Sequence, residues 1–591
     1  MKKIIVLLFL TNVLFLSAQN QELANSFFED GAYQKASLEY DKLIKKQPYR
    51  IDFIQKKIIC LQELKEFGKA EKVLQKAMEG KYKRPQLWVD LGYNYTLQKD
   101  TIRAKNAYQK AIVAVTKNPN ASYSIGKSFE SHNLLEEAKQ VYTTAIVLSP
   151  KTNVHLQLAY VYGQLNEIEN MFDSYLNLIA KNKKLIPRVQ QLISSFITDD
   201  AQNENNSKLK RALLKKLQAQ PNTLWNEQLS WLFAQQEQYN KAFVQEKAIF
   251  KREGETLQRL FNLAVTANDN QDFETATVIF NFIQEQNLDV TTQIKVQEIL
   301  LKLAQKTTSK KNYEKLTKRY QVVLDSFGIN ANTINIQLDY ANVLAFKTHQ
   351  IATALSFFKA NKNQKLNRFS KARYLMKYAD VLVANGQFNT ALINYSKIQR
   401  SLKNNVLSQE ARFKVAKTSY YKGDFNWALQ QLKVLKASTT QLIANDALDL
   451  HLLINDHIKE DSLHIALKKY AKADLLAFQH KTKESIVVLS DILEMHKGDK
   501  IEDDALFLQA QLFDQQENYK AAIKNYKTII KNLKESIFTD DAHYHLAKIY
   551  LKLANEKAAK KEYEVILFYH PDSIYFVPAQ KKYRKLRGDD I

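Results

Sequence analysis

His543-x-His545 is the closest approach in this 591-residue chain to a metal-ligand pair, and Asp199-Asp200 and Asp503-Asp504 are its closest approach to paired acid–base carboxylates. Ligands on a helix converge when they stand four residues apart, on one face. Two histidines two apart point to different sides, so no metal site is expected at His543 and His545. Each aspartate pair falls at the expected start of a helix, where capping and the helix dipole account for it. Cys60 is the one cysteine, so no intramolecular disulfide can form. Its neighbours Ile58, Ile59 and Leu61 favour a small buried apolar residue over a reactive thiol. No G-x-x-x-x-G-K-[ST] or G-x-G-x-x-G stretch occurs, and no serine or cysteine sits in a nucleophile-elbow context. A catalyst is therefore not expected, nor a cofactor; an enzyme assembled from distant residues is the remaining alternative.

The elements that must position any site are helices. The chain has 12 glycines and 8 prolines, where average usage would give roughly 40 and 30. Both residues break helices, so their scarcity predicts an almost entirely α-helical protein. Ala36, Ala70, Ala104 and Ala138 stand 34 residues apart. A small residue, eleven intervening residues, a second small residue and a large one four later recur as Ala24/Ala36/Tyr40, Gly92/Ala104/Tyr108, Gly126/Ala138/Tyr142 and Ala264/Ala276/Phe280. The triplet continues as Ala379/Ala391/Tyr395, Ala416/Ala428/Leu432, Ala510/Ala522/Tyr526 and Ala547/Ala559/Tyr563. Two antiparallel helices cross closely only where one side chain on each is small, and a large residue one turn later fills the space beside the crossing. Turn residues fall between the small positions, as in Gly31-Ala32-Tyr33, Asn385-Gly386-Gln387 and Lys422-Gly423-Asp424, and Pro48, Pro119, Pro150, Pro221 and Pro571 separate hairpins.

With Trp88-x2-Leu91-Gly92-x2-Tyr95 before Ala104-x3-Tyr108 and Ala111, these residues resemble the tetratricopeptide repeat (TPR) family over most of the chain. The resemblance implies an all-α, right-handed solenoid of antiparallel helix pairs, a binding scaffold in which each repeat contacts mainly its neighbours. Met171 in the fifth repeat and Ile58 in the second replace a usual small residue, so those hairpins are expected to cross wider. The period changes from 34 residues to 37 at Ala354, Ala391 and Ala428, and again at Ser485, Ala522 and Ala559. We therefore expect an N-terminal array at 19–183, divergent helix pairs within 184–330 (184–222 and 286–330), and a second array at 331–591 of different pitch. Asn445–His457 is expected as a helix without a regular partner, and 575–587 as a capping helix.

Residues 1–18 read as a secretory signal: Lys2 and Lys3, an apolar run from Ile4 to Leu16, then Ser17-Ala18 with cleavage expected after Ala18. An uncleaved anchor is the alternative. No later stretch has the roughly 20 apolar residues of a membrane span, and no cysteine follows the signal for lipid attachment. The expectation is an exported chain, periplasmic, outer-membrane-associated or released. The net charge of +24 would suit nucleic acid, but export and the scatter of lysines among acidic residues argue against it. Runs at Lys208–Lys216, Lys310–Arg319 and Lys581–Arg587 are read first as solvated helix faces. Attraction to an anionic envelope component, a polymer or a membrane surface, is the sharper alternative.

In this family partners lie along the first helix of each pair. Transferring the lining positions gives Tyr93, Tyr123, Tyr160, Trp231 and Phe261 as candidate partner-binding residues. Aromatic rings there would anchor a protein or peptide segment at low entropic cost. In the second half the same positions give Phe413, Phe507 and Tyr544 alternating with Lys417, Gln511 and Lys548, a more polar and basic lining. The lysine–asparagine–arginine clamp of chaperone-binding repeats is not matched: the corresponding residues are Gln21, Asn25, Lys56, Gln86 and Asp90, and only Asn25 agrees. Asp503-Asp504-Ala505, Asp540-Asp541-Ala542 and Pro571-Asp572-Ser573 resemble the TPR domains of bacterial envelope proteins. Those take part in outer-membrane protein assembly and in coordinating wall synthesis with outer-membrane constriction. The resemblance implies a non-enzymatic envelope scaffold, periplasmic by expectation.

Overall fold

The computed structural model describes residues 20–79, 84–254, 257–403, 405–435, 441–459, 463–533 and 536–589, and the expected signal at 1–18 lies outside them. Helices succeed one another along the described residues, without a strand among them. The chain divides into two compact units, Met1–Ile279 and Phe280–Ile591.

In the first unit the helices pair as antiparallel hairpins. A helix at 20–29 precedes Tyr33–Lys46; Ile51–Glu63 precedes Phe67–Glu79; Leu87–Leu97 precedes Thr101–Lys117; and Ser122–Ser131 precedes Leu135–Leu148. The small residues lie where the expected crossings require. Ala24, Ala36, Ala70 and Ala138 are fully buried, as are the large residues Tyr40, Leu74 and Tyr142. Gly92 and Gly126 show why no side chain fits: a Cβ on either would fall within the ring of Tyr108 or Tyr142 respectively. The second hairpin reaches the same packing by exchange, since Ile58 is opposed by the smaller Leu74 within one core cluster. In the fifth, His155–Gln164 and Ile168–Lys181, buried Met171 is admitted by Gly163, whose Cβ would stand 3.1 Å from the thioether sulfur. Both departures are thus balanced by a reduction in volume elsewhere, as interior packing density demands.

Hairpin turns share one backbone solution whatever residue occupies them. Gly31, Lys65, Lys99, Asn133, Asn166, Glu237 and Gln271 each take a left-handed φ seven residues after the first small position, or after Ile58 or Ser230 in its place. The following amide then closes on the carbonyl five residues back, as Asp100 N–H does on Tyr95 (3.0 Å). This is the Schellman closure of a helix C-terminus. The divergent pair Ile186–Ser194 and Glu204–Ala219 uses another device. Buried Asn206 donates to the Thr198 and Asp200 carbonyls (2.8 and 2.7 Å) and so pins the loop between the two helices.

The second unit repeats the triplet with longer first helices. Arg368–Ala384 and Val406–Lys422 have 17 residues each, against 11 and 10 in Leu87–Leu97 and Ser122–Ser131. The added residues of the 37-residue period therefore extend the first helix at its N-terminal end. Ile465–Phe478 and Thr482–Met495 cross at Ala473 and Ser485, and the Ser485 hydroxyl donates to the Ala473 carbonyl (2.7 Å). Gln441–His457 is a single helix that sinks Ala447, Leu450 and Ile454 into the core of its neighbours. Phe576–Arg587 ends the unit, burying Ala579 with Ala559 and Tyr563.

Candidate functional site

The residue following each first small position lies on the face of the first helix, and so does the residue three before it. In the first unit these two columns supply Asn25, Gln55, Tyr93, Tyr123, Lys127, Tyr160, Trp231 and Phe261. Tyr123 and Tyr160 are half-exposed, at 53% and 52%. Tyr93 is partly buried and stacks on His132 (ring centroids 4.0 Å, interplanar angle 18°). Tyr160 receives the Lys127 ammonium over its ring at 5.6 Å. Trp231 is partly buried and packs on the core built by Leu229, Leu232 and Met171. Phe261 is also partly buried. The structure thus brings Tyr93 to His132 and Tyr160 to Lys127, each partner coming from the adjacent hairpin or the one before.

Beneath Tyr93 lies a network that the sequence does not announce. Asp90 is buried at 5% exposure and accepts from Gln55 Nε2 (3.0 Å) and Ser128 Oγ (3.1 Å), with His132 Nε2 at 3.0 Å. Three successive hairpins therefore share one carboxylate. Asp90, Gln55 and His132 line a cavity of about 270 Å³ with Lys56, Ile59 and Gln62. At the N-terminal end Asn25 is also occupied: its Oδ1 accepts from the Tyr40 hydroxyl (2.9 Å) and from Lys56 Nζ (2.7 Å). The one position that agreed with the carboxylate clamp is thus already engaged within the chain.

In the second unit the equivalent of Asn25 is charged. Asp380 Oδ1 accepts from the Tyr395 hydroxyl (2.6 Å) and from Lys414 Nζ (2.8 Å). Burial, then the Asp380 charge, pushes the Tyr395 hydroxyl far above its usual range. Burial alone would lower Lys414, but the charge and hydrogen bond of Asp380 outweigh it and raise the ammonium. Lys417 bonds Asp474 (2.5 Å) and lies over the Tyr420 and Tyr421 rings at 5.2 and 5.4 Å. Asp380, Tyr395, Lys414, Lys417 and Tyr421, with Phe413 and Glu410, line a cavity of about 580 Å³. Val406 and Glu410 of that lining lie in the extension of the first helix, so the longer period builds the cavity wall.

The other candidates for chemistry are separated. His543 Nδ1 lies 2.6 Å from Glu562, whereas His545 stacks on Tyr526 at 5.9 Å. Asp504 meets His457 Nε2 at 2.9 Å, and Asp200 caps the Gln202 amide (2.9 Å). Cys60 is buried, and burial pushes its thiol up to about 11, which suits a packing role. Among the described residues no group of three or more His, Cys, Asp or Glu could hold a metal ion.

Comparison with known proteins agrees with this geometry at the C-terminal end. Residues 504–536 and 540–564 each match a tetratricopeptide repeat family. No curated protein matches the sequence. Solved structures similar to the chain include one of Naa15/Naa10 bound to HypK-THB, at 12% identity over 97% of this chain and 96% of that one, with a TM-score of 0.26. Another is the APC/C hetero-tetramer Cut9–Hcn1, at 13% identity over 96% of both chains and a TM-score of 0.22. The C-terminal hairpins of this chain carry tetratricopeptide repeats, and the buried triplet they contain recurs earlier in the chain at Ala24/Ala36/Tyr40 and Ala379/Ala391/Tyr395.

Proposed function

We propose that this chain is a non-catalytic scaffold whose first-helix face holds a segment of a partner protein, and that it serves as an exported assembly or adaptor factor in a bacterial cell envelope. The observation that carries the binding reading is the half exposure of Tyr123 and Tyr160 on helices whose backbones are fixed by buried crossings. Rigid aromatic rings displayed on a regular grid supply contact area at little entropic cost. Export is supported by the basic, apolar, small-residue order of residues 1–18. No described helix is long and apolar enough to cross a membrane.

The test is capture from envelope extract by the mature chain and by a Tyr93→Ala/Tyr123→Ala/Tyr160→Ala variant, in low and high salt. A partner that survives salt and is lost with a variant of unchanged helicity is the expected result. Equal capture by the folded variant would remove this face from the proposal. Retention only at low salt, equal for both proteins, would assign binding to the lysines and to an anionic polymer or membrane surface instead. Export is checked separately by cell fractionation with intact-mass measurement, which should find a chain beginning at Gln19 outside the cytoplasm.

A further inference from the structure

One hairpin of the second unit departs from the grid by a single residue. Its small positions, Ala341 and Ala354, are both fully buried but stand 13 apart in place of 12. The extra residue is absorbed in a π-turn, Val343–Lys347, between Ile334–Asn342 and Ile351–Ala360. The turn closes on Gln350 N–H to the Leu344 carbonyl (2.8 Å), one residue longer than the closure used elsewhere, and His349 takes the left-handed position. A π-turn re-aims the side chains it carries and is enriched at functional sites. Here it lays Phe346 against Phe478 (5.4 Å) and His480 (6.0 Å), more than a hundred residues onward, and sets Lys347 over the Tyr313 ring at 5.9 Å.

Those contacts wall a cavity of about 940 Å³ lined by Lys310, Lys347, His349, His480, Lys481 and Lys483. Thr482, Gln515 and Gln516 add hydrogen-bonding side chains, and Glu484 is the one carboxylate among the lining residues. Its side chain is 61% exposed and stands 3.9 Å from Lys481, so it offsets little of the charge. Burial, then the Lys347 charge and His349, holds the His480 imidazole below its usual range. The lining contains no arginine, so its permanent positive charge is carried by ammonium groups alone. Ammonium groups act as compact point charges that meet phosphate oxygens from any direction.

We propose that this cavity binds a ligand carrying several phosphate groups, seated among Lys310, Lys347, Lys481 and Lys483. The site is independent of the aromatic face of the first unit. It is tested by titrating inorganic tripolyphosphate into the full chain, into Lys347→Gln/Lys483→Gln, and into Lys105→Gln/Lys117→Gln as a control of equal charge loss on exposed helix surface. Binding at least roughly tenfold weaker in the cavity variant, and unchanged in the control, is expected. Equal loss in both variants, or no binding to the parent chain, would overturn the proposal. So would an octaglutamate peptide that binds the parent as tightly as tripolyphosphate does. Sedimentation with phosphatidylcholine vesicles containing cardiolipin separates the sources of phosphate. Vesicle binding lost in the cavity variant supports a lipid headgroup, and tripolyphosphate binding without vesicle binding supports a soluble polyphosphate.

Discussion

The two units use one crossing geometry and differ in the balance of chemistry beside it. The residue after the first small position is Asn25, Ile59, Tyr93, Lys127, Tyr160, Trp231 and Val265 in the first unit, mostly apolar or aromatic. In the second it is Asn342, Asp380, Lys417, Asp474, Gln511 and Lys548, all polar or charged. The same contrast appears in the paired motifs Tyr40–Asn25–Lys56 and Tyr395–Asp380–Lys414, which differ in a neutral against a charged acceptor. The lesson is that the buried triplet fixes the backbone and leaves the adjoining column free to vary. Where that column is aromatic it stays partly exposed; at Asp380, Lys417 and Asp474 it forms ion pairs with other helices.

The largest effect should come from violating the crossing itself. Gly126→Ile drives a branched side chain into the Tyr142 ring and should cost about 3 kcal/mol or more, read as local loss of hydrogen-exchange protection in that hairpin. Adding Tyr142→Leu copies the Ile58/Leu74 solution and should recover most of the loss. No recovery would show that the second hairpin tolerates Ile58 for another reason.

Next comes the charged acceptor. Asp380→Ala leaves the Tyr395 hydroxyl and Lys414 without their shared partner, at about 3 kcal/mol, whereas Asn25→Ala should cost about 1 kcal/mol. Equal values in urea unfolding would erase the distinction between the units.

A smaller effect of pH is expected in the second unit. Asp541, which accepts from the Tyr575 hydroxyl (2.8 Å), is pushed up to about 6, chiefly by burial, with Asp540 adding to the shift and the Tyr575 hydrogen bond opposing it. A carboxyl that holds its proton more tightly when folded contributes fully below its unfolded value of about 3.9, and loses that contribution as pH rises through about 6. His545 on the same helix, held down at about 4 chiefly by burial, acts in the opposite direction, so the Asp541 share is read as the difference between the parent and Asp541→Asn. That difference should change by about 1 kcal/mol between pH 5 and pH 7.5, the parent losing relative to the variant as pH rises. A slope unchanged by that substitution would place the titration elsewhere.

The smallest effects sit at the turns. Ala554 and Lys99 hold left-handed φ of 55° and 63°, so Ala554→Gly and Lys99→Gly should each stabilise by about 1 kcal/mol. Destabilisation at either would mean that the side chain contributes more than its backbone strain costs.

Much of the hairpin architecture was legible because small residues at a fixed spacing have a steric cause that acts through local sequence. The left-handed turns were legible only at Gly31, Gly386 and Gly423, since position in the hairpin, and not residue type, sets the conformation at Lys65 or Glu517. The π-turn left a trace in the 13-residue step from Ala341 to Ala354, hidden because Asn342 occupies the place where a small residue was sought. Asp90 was noticed only as a mismatch to a carboxylate clamp. Its partners Gln55, Ser128 and His132 lie on other hairpins, and no local pattern brings them together. Tyr123 and Trp231 occupy comparable columns, yet one is half-exposed and the other packs on a core. Column position does not encode how much of a ring its neighbours cover.

The extra residue in Val343–Lys347 also bears on how such chains diversify. Because the extra residue is taken up before Ala354, the next two hairpins keep their phase, with Ala391 and Ala428 following at 37-residue steps. A lineage of repeats can thus acquire a new surface by gaining one codon in one turn, without renegotiating its interior, and such a change can be inherited and refined in a single copy while the others stand still.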